Sequence, residues 1–212
     1  VFPHHECEIA QAVAAQGKPM VHYWMHNNML TINGQKMGKS LGNFITLNQF
    51  FTGDHPALTK AFGPMTIRFF ILSAHYRGTV DFSNEALEAS EKGLERLLNG
   101  ISDLARVKAE EKTDDETARF IQALPQKCYD AMNDDMATPQ VISHLFEACT
   151  VVNKLTDHKA SATQQDIDTL ANTMRTFAFD ILGLRDDHQA DSCGREEAFG
   201  KVDRKSTRLN SS

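Results

Sequence analysis

No stretch of this 212-residue chain approaches the roughly 18 uninterrupted apolar residues that a membrane span requires, and nothing near its start reads as a secretory leader. Both absences favour the cytosol. Its four cysteines, Cys7, Cys128, Cys149 and Cys193, stand far apart with no CxxC pair. Neither a disulfide framework nor an all-cysteine zinc site is therefore indicated, and reduced, partly buried thiols are expected. Negative charge outweighs positive. A net charge of −6 argues against a generally basic nucleic-acid binder, because phosphate contacts need clustered Lys and Arg. The one candidate strip, Lys92, Arg96, Arg106, Lys108 and Lys112, is interleaved with Glu88, Glu91, Glu95, Glu110 and Glu111 and reads as a solvated helix face. No methionine stands at the start, and a natural beginning upstream of Val1 is expected.

What is present is an ordinary globular composition, 41% hydrophobic, sufficient for one or two domains with a real core. Residues 4–16 are helix formers closed by Gly17 and Pro19, which predicts a short helix. Residues 20–32 are rich in Val, Tyr, Trp, Ile and Thr and predict extended structure, with Asn33-Gly34 as a turn. The three glycines at 34, 38 and 42 predict a mobile loop. A short helix is expected around residues 46–51, and Pro64 is placed to open another over 65–76, whose unbroken apolar run 69–72 implies burial on several sides. Beyond residue 78, Leu87, Leu94, Leu97, Leu98, Ile101 and Leu104 recur at helical spacing after an entry at residues 81–85. Three further helical stripes follow, carried by Phe120, Ile121, Leu124 and Cys128, by Val141, Leu145, Phe146, Cys149 and Val152, and by Ile167, Leu170, Met174, Phe177 and Ile181. No strand is expected beyond about residue 80, and the stripes pack a helical bundle. Residues 203–212, DRKSTRLNSS, lose all apolar periodicity and look like a translated sequencing adapter, so no element of the fold is expected from them.

The chemistry concentrates in Lys36-Met37-Gly38-Lys39-Ser40, two lysines flanking a glycine in a loop between a strand and a helix. Such a loop suits phosphate. It is not a P-loop, since G-x-x-x-x-G-K-S would need glycine at Asn33, and Gly34 is one residue late. A surface loop with solvated lysines is the competing reading. On the first helix His4 and Glu8 stand four apart, so both face one side and are able to share a metal; a plain surface pair has the same spacing.

KMGKS followed by Leu41-Gly42-Asn43-Phe44 resembles the KMSKS-LGNF signature of class I aminoacyl-tRNA synthetases. Residues 2–11, FPHHECEIAQ, resemble the FPHHENEIAQ stretch of the cysteine-specific branch of that class, and Tyr23-Trp24-Met25-His26 its YWMH. Arg68-Phe69-Phe70, Ser73-Ala74-His75-Tyr76-Arg77 and Asp81-Phe82-Ser83 follow in the same order, so the resemblance covers residues 2–185. It implies a mainly α chain, in which the C-terminal remnant of a Rossmann-like α/β catalytic domain (residues 1–78) precedes a helical bundle that supports tRNA docking (79–185). A linker or the start of a further region follows (186–202). The implied activity is ATP-dependent activation of cysteine and its transfer to tRNA(Cys), with magnesium accompanying ATP.

The resemblance assigns Lys39 to ATP, with Lys36 assisting and Ser40 beside them. It also makes His4 and Glu8 two of four zinc ligands, the other two being cysteines upstream of Val1. That zinc distinguishes cysteine from serine by its preference for sulfur. His5 either lines the substrate pocket or packs. Gly38 stands where the signature has serine, and a change in loop motion is expected from it. A remnant of this kind is expected to be inactive alone and to expose apolar surface at residues 69–72 and around 23–25. Two alternatives remain open at this point. One is a related ligase that joins cysteine to a sugar amine, and the other is a non-enzymatic helical binding module.

Overall fold

The computed structural model describes residues 3–186; the expectations for Phe2, for Cys193 and for the segments beyond residue 186 lie outside them. Helix α1, His4–Gln16, ends as predicted at Gly17, yet none of its residues is buried. A long irregular segment leads to β1, Leu30–Ile32, so the extended structure expected over 20–32 pairs as a strand only in its last three residues. Asn33 and Gly34 both take left-handed backbone (φ 50° and 76°), and β2, Gln35–Lys36, returns antiparallel with Ile32 opposite Gln35. That is the two-residue turn which Asn-Gly favours.

Helix α2, Leu47–Thr52, opens on a reciprocal cap in which the Thr46 and Gln49 side chains each bind the other's backbone N–H. Helix α3, Pro64–Leu72, stops four residues short of the predicted end, at a cap on Ser73 whose hydroxyl donates to the Phe69 carbonyl at 2.8 Å. Strand β3, Val80–Phe82, corrects the expectation of no strand beyond about residue 80. It pairs parallel with β1, giving a small sheet of order β2-β1-β3. Three residues are too few for periodicity to show, and only pairing defines this strand.

The remainder is helical. Helix α4, Asn84–Asp103, is capped by Ser83; α5 spans Asp115–Asn133, α6 Thr138–Thr156 and α7 Gln164–Arg175, which winds into a wider π turn over Thr176–Ile181. The predicted stripes form the bundle core, with Leu97, Leu124, Cys128, Val141, Leu145, Val152, Leu170 and Met174 fully buried. A second, smaller core of Ile32, Ile45, Phe50, Phe62, Ile67, Val80, Phe82 and Leu87 lies under the sheet. Helix α3 walls both. Its Ile67 and Phe70 face the small core, while Phe69 is buried against the bundle, its ring edge-on to Phe146 at 6.3 Å. Phe69 is thus covered, contrary to the exposure expected over 69–72; Ile71 alone of that run faces outward. Around residues 23–25 the expected apolar surface is present, with Tyr23 90% and Met25 59% exposed. The basic strip, of which only Lys92 and Arg96 lie on α4, is exposed throughout, and the Arg96 guanidinium also lies 5.4 Å from the Phe146 ring centre.

Candidate active site

The KMGKS loop grows directly out of the hairpin. Lys36 ends β2 opposite Thr31, the Met37 N–H donates to the Leu30 carbonyl at 3.2 Å, and Lys39–Leu41 form one 3₁₀ turn. In this structure the loop takes one hydrogen-bonded course. Asn43 is the reason: its side-chain oxygen accepts the Gly38 N–H at 2.9 Å while its amide donates to the Lys36 carbonyl at 3.1 Å. One side chain therefore ties both ends of the pentapeptide, using the two faces of a primary amide. Asp81 secures the hairpin turn behind it, accepting the Thr31 hydroxyl at 2.6 Å and the Gly34 N–H at 2.8 Å. Those two donors hold its carboxyl below the ordinary value.

Lys36, Lys39 and Ser40 are all exposed at the loop surface. The Lys39 ammonium lies 5.5 Å from the Phe44 ring centre, a contact weak enough to exchange for a stronger anion. Gly38 has extended backbone (φ −163°) that any residue adopts, and a Cβ there would meet nothing closer than 3.8 Å. Serine would fit, so the substitution in the signature does not arise from the loop's shape.

Helix α1 carries the second set. His4 and Glu8 share its exposed face, but Glu8 Oε2 lies 2.9 Å from Nδ1 of His5, not of His4. His5 in turn meets the Trp24 ring at 4.6 Å and the His26 ring at 5.3 Å, and Trp24 and His26 stack at 6.2 Å. His5 thus packs against Trp24 and His26. Among the described residues no group of three or more His, Cys, Asp and Glu is arranged to hold a metal. An imidazole nitrogen and a carboxylate oxygen one turn apart suit zinc, so His4 and Glu8 fit half of a tetrahedral set once Glu8 releases His5. Cys7, next to Glu8, is exposed, whereas Cys128 and Cys149 are buried core thiols.

Nothing in the sequence points to these contacts of Asn43 and Asp81. Asn43 stands in the quoted LGNF, yet its clamp depends on the loop folding back, which spacing alone does not reveal. The segment before β1 is likewise held by residues whose role emerges only in three dimensions. The Asn28 N–H donates to the Tyr76 carbonyl at 2.9 Å, and the Asn28 amide donates to the Arg77 carbonyl at 2.8 Å.

Comparison with known proteins places this geometry. Residues 1–92 match the tRNA synthetases class I (C) catalytic domain family, and residues 127–185 match the DALR domain family. A LeuRS of Agrobacterium radiobacter K84, solved in a ternary complex, shares the fold at a TM-score of 0.51 over 81% of this chain and 22% of its own, with 19% identity. The mainly helical chain, with its small sheet and signature loop, is class I aminoacyl-tRNA synthetase structure. Cysteine–tRNA ligases of Porphyromonas gingivalis and Parabacteroides distasonis are 62% and 59% identical to it, each over 95% of this chain and 40% of the relative. That of Chlorobaculum tepidum is 43% identical over 91% of this chain and 37% of the relative. The chain belongs to the cysteine–tRNA ligase family and spans about 40% of the length of the curated relatives named first. Among the described residues no helix is long and apolar enough to cross a membrane.

Proposed function

We propose that this chain is the signature-loop and helical-bundle portion of an enzyme that activates cysteine with ATP and transfers it to tRNA(Cys) in the cytoplasm. The observation that carries the reading is the KMGKS loop, displayed at the end of a clamped hairpin in a chain 62% identical to a cysteine–tRNA ligase. Lys39 contacts the ATP phosphates, with magnesium, Lys36 and Ser40 assisting. An exposed ammonium on a long stem is able to follow charge as it develops on the departing pyrophosphate. Asn43 keeps both lysines on one short arc, so loop closure delivers them together. His4 and Glu8 would hold zinc, whose affinity for sulfur separates a thiol substrate from its hydroxyl analogue. Trp24 and His26 back His5 and keep α1 turned toward that substrate. Residues 1–78 serve as the catalytic-domain part and 79–185 as the bundle that meets tRNA.

The test replaces the corresponding segment of the Porphyromonas gingivalis relative with residues 3–186 of this chain. Lys39→Ala in that chimera should lower ATP–pyrophosphate exchange by on the order of 10²-fold or more while leaving its melting temperature unchanged. Normal exchange by the variant would remove Lys39 from the site. Cysteine joined to an amino sugar, with no charging of tRNA(Cys), would reassign the chain to the sugar-amine ligases.

A further inference from the structure

The turn between α5 and α6 is strained. Asp135 and Met136 both have left-handed backbone, φ 55° and 53°, which an aspartate tolerates and a methionine disfavours. The Asp135 carboxylate meanwhile gathers three donors from residues far away in sequence. The Tyr76 hydroxyl donates at 2.5 Å, and the Arg77 guanidinium donates through Nε at 2.5 Å and Nη2 at 3.2 Å. His75 Nε2 lies 3.2 Å from the Asp135 carbonyl oxygen, and the Thr138 hydroxyl donates to the Leu72 carbonyl at 2.7 Å. A bundle turn thus grips residues 72–77. Those residues grip the segment before β1 through the two Asn28 hydrogen bonds and, just beyond, the Val80 N–H donating to the Met29 carbonyl at 3.2 Å. That segment carries Trp24 and His26 against His5 of α1.

We infer that Asp135 is a positioning residue: from the bundle it fixes Tyr76 and Arg77, and through their backbone it sets where residues 24–29 hold Trp24 and His26 against α1. A bundle that shifts on docking tRNA would then reach the amino-acid side of the site by this route. That consequence rests on the function proposed above; the mechanical coupling does not. An isolated exposed ion pair adds little to stability, and here Arg77 and Asp135 are 66% and 40% exposed. Two consecutive left-handed residues are retained beside a carboxylate with three donors, an arrangement suited to fixing a geometry. The same donors hold the Asp135 carboxyl below its ordinary range.

Trp24 is the sole tryptophan of the chain, so its fluorescence reports the segment without any activity assay. Asp135→Ala in the 212-residue chain should raise acrylamide quenching of Trp24 about twofold while the helical signal melts as in the parent, because the segment is freed and the bundle core is not. Asp135→Asn, which tolerates left-handed backbone and keeps an acceptor for Tyr76, should restore most of the protection. Arg106→Ala, which removes the exposed pair with Asp103 inside the bundle, should change nothing. If Asp135→Ala fails to fold, Arg77→Gln breaks the same contact from the opposite side without touching the strained turn. Parental quenching in a folded Asp135→Ala or Arg77→Gln chain overturns the coupling. In the chimera, Asp135→Ala should raise KM for cysteine in pyrophosphate exchange and leave KM for ATP unaltered, and equal changes in both would also overturn it. A parent chimera that activates no cysteine counts against the proposed function and leaves the Trp24 result standing.

Discussion

A single amide does more to shape the signature loop than either of its lysines. Asn43 closes two hydrogen bonds across residues 36–38, and each such bond contributes on the order of 1 kcal/mol. Asn43→Ala should therefore loosen the loop without unfolding the chain. Hydrogen–deuterium exchange should rise at residues 36–42 and stay parental in α5 and α6; unchanged protection of the loop would show that the clamp is dispensable. The lysines were legible in the sequence because their spacing matches a known signature, and so were His4 and Glu8 as a same-face pair. Their partners were not. Glu8 chose His5 over His4, and Asn43, Asp81 and Asp135 act on residues 5 to 60 positions away. Spacing along one element carries no record of such contacts.

The helices were the easiest elements to read. Apolar stripes of α4 to α7 repeat over enough turns for burial to follow from period alone, and Leu87, Leu94, Leu97, Ile121, Leu145 and Leu170 are all buried. Short elements escaped because β3 has only three residues and exists through pairing with β1. The irregular 21–29 segment is β-rich in composition but is held by Asn28, His26 and Trp24 side chains instead of a ladder. Packing of α4 on α6 also depends on one absence of a side chain. A Cβ at Gly100 would lie 2.6 Å from Cys149 Sγ and 3.1 Å from its Cβ. Gly100→Ala should destabilise the bundle by about 1–3 kcal/mol despite alanine's better helix propensity, measured as a lower urea midpoint. Adding Cys149→Ala should recover part of that loss, and a strictly additive double variant would show that the two positions do not press on each other.

At the scale of the whole molecule, two cores share one wall, and stability should follow the larger. Burial pushes the Cys128 and Cys149 thiols up from the ordinary 9.0 to about 11. Unfolding lets both ionise at the ordinary value, so between about 9 and 11 the unfolded chain holds fewer protons than the folded one. The contribution is complete below about 9 and is lost as pH rises through about 11, and the urea midpoint should fall across that window. Replacing both thiols with alanine should flatten the alkaline limb while lowering the midpoint at neutral pH. An unflattened limb would place the alkaline loss elsewhere, on lysines or tyrosines.

The arrangement of a small sheet, a clamped lysine loop and a supporting bundle makes sense as part of a larger catalyst, and the most direct measurement is made on that larger object. The chimera carrying residues 3–186 in the Porphyromonas gingivalis relative should charge tRNA(Cys) with cysteine at a rate within about tenfold of the parent enzyme, because 62% identity preserves the interfaces as well as the loop. A folded chimera that leaves tRNA(Cys) uncharged would contradict the account.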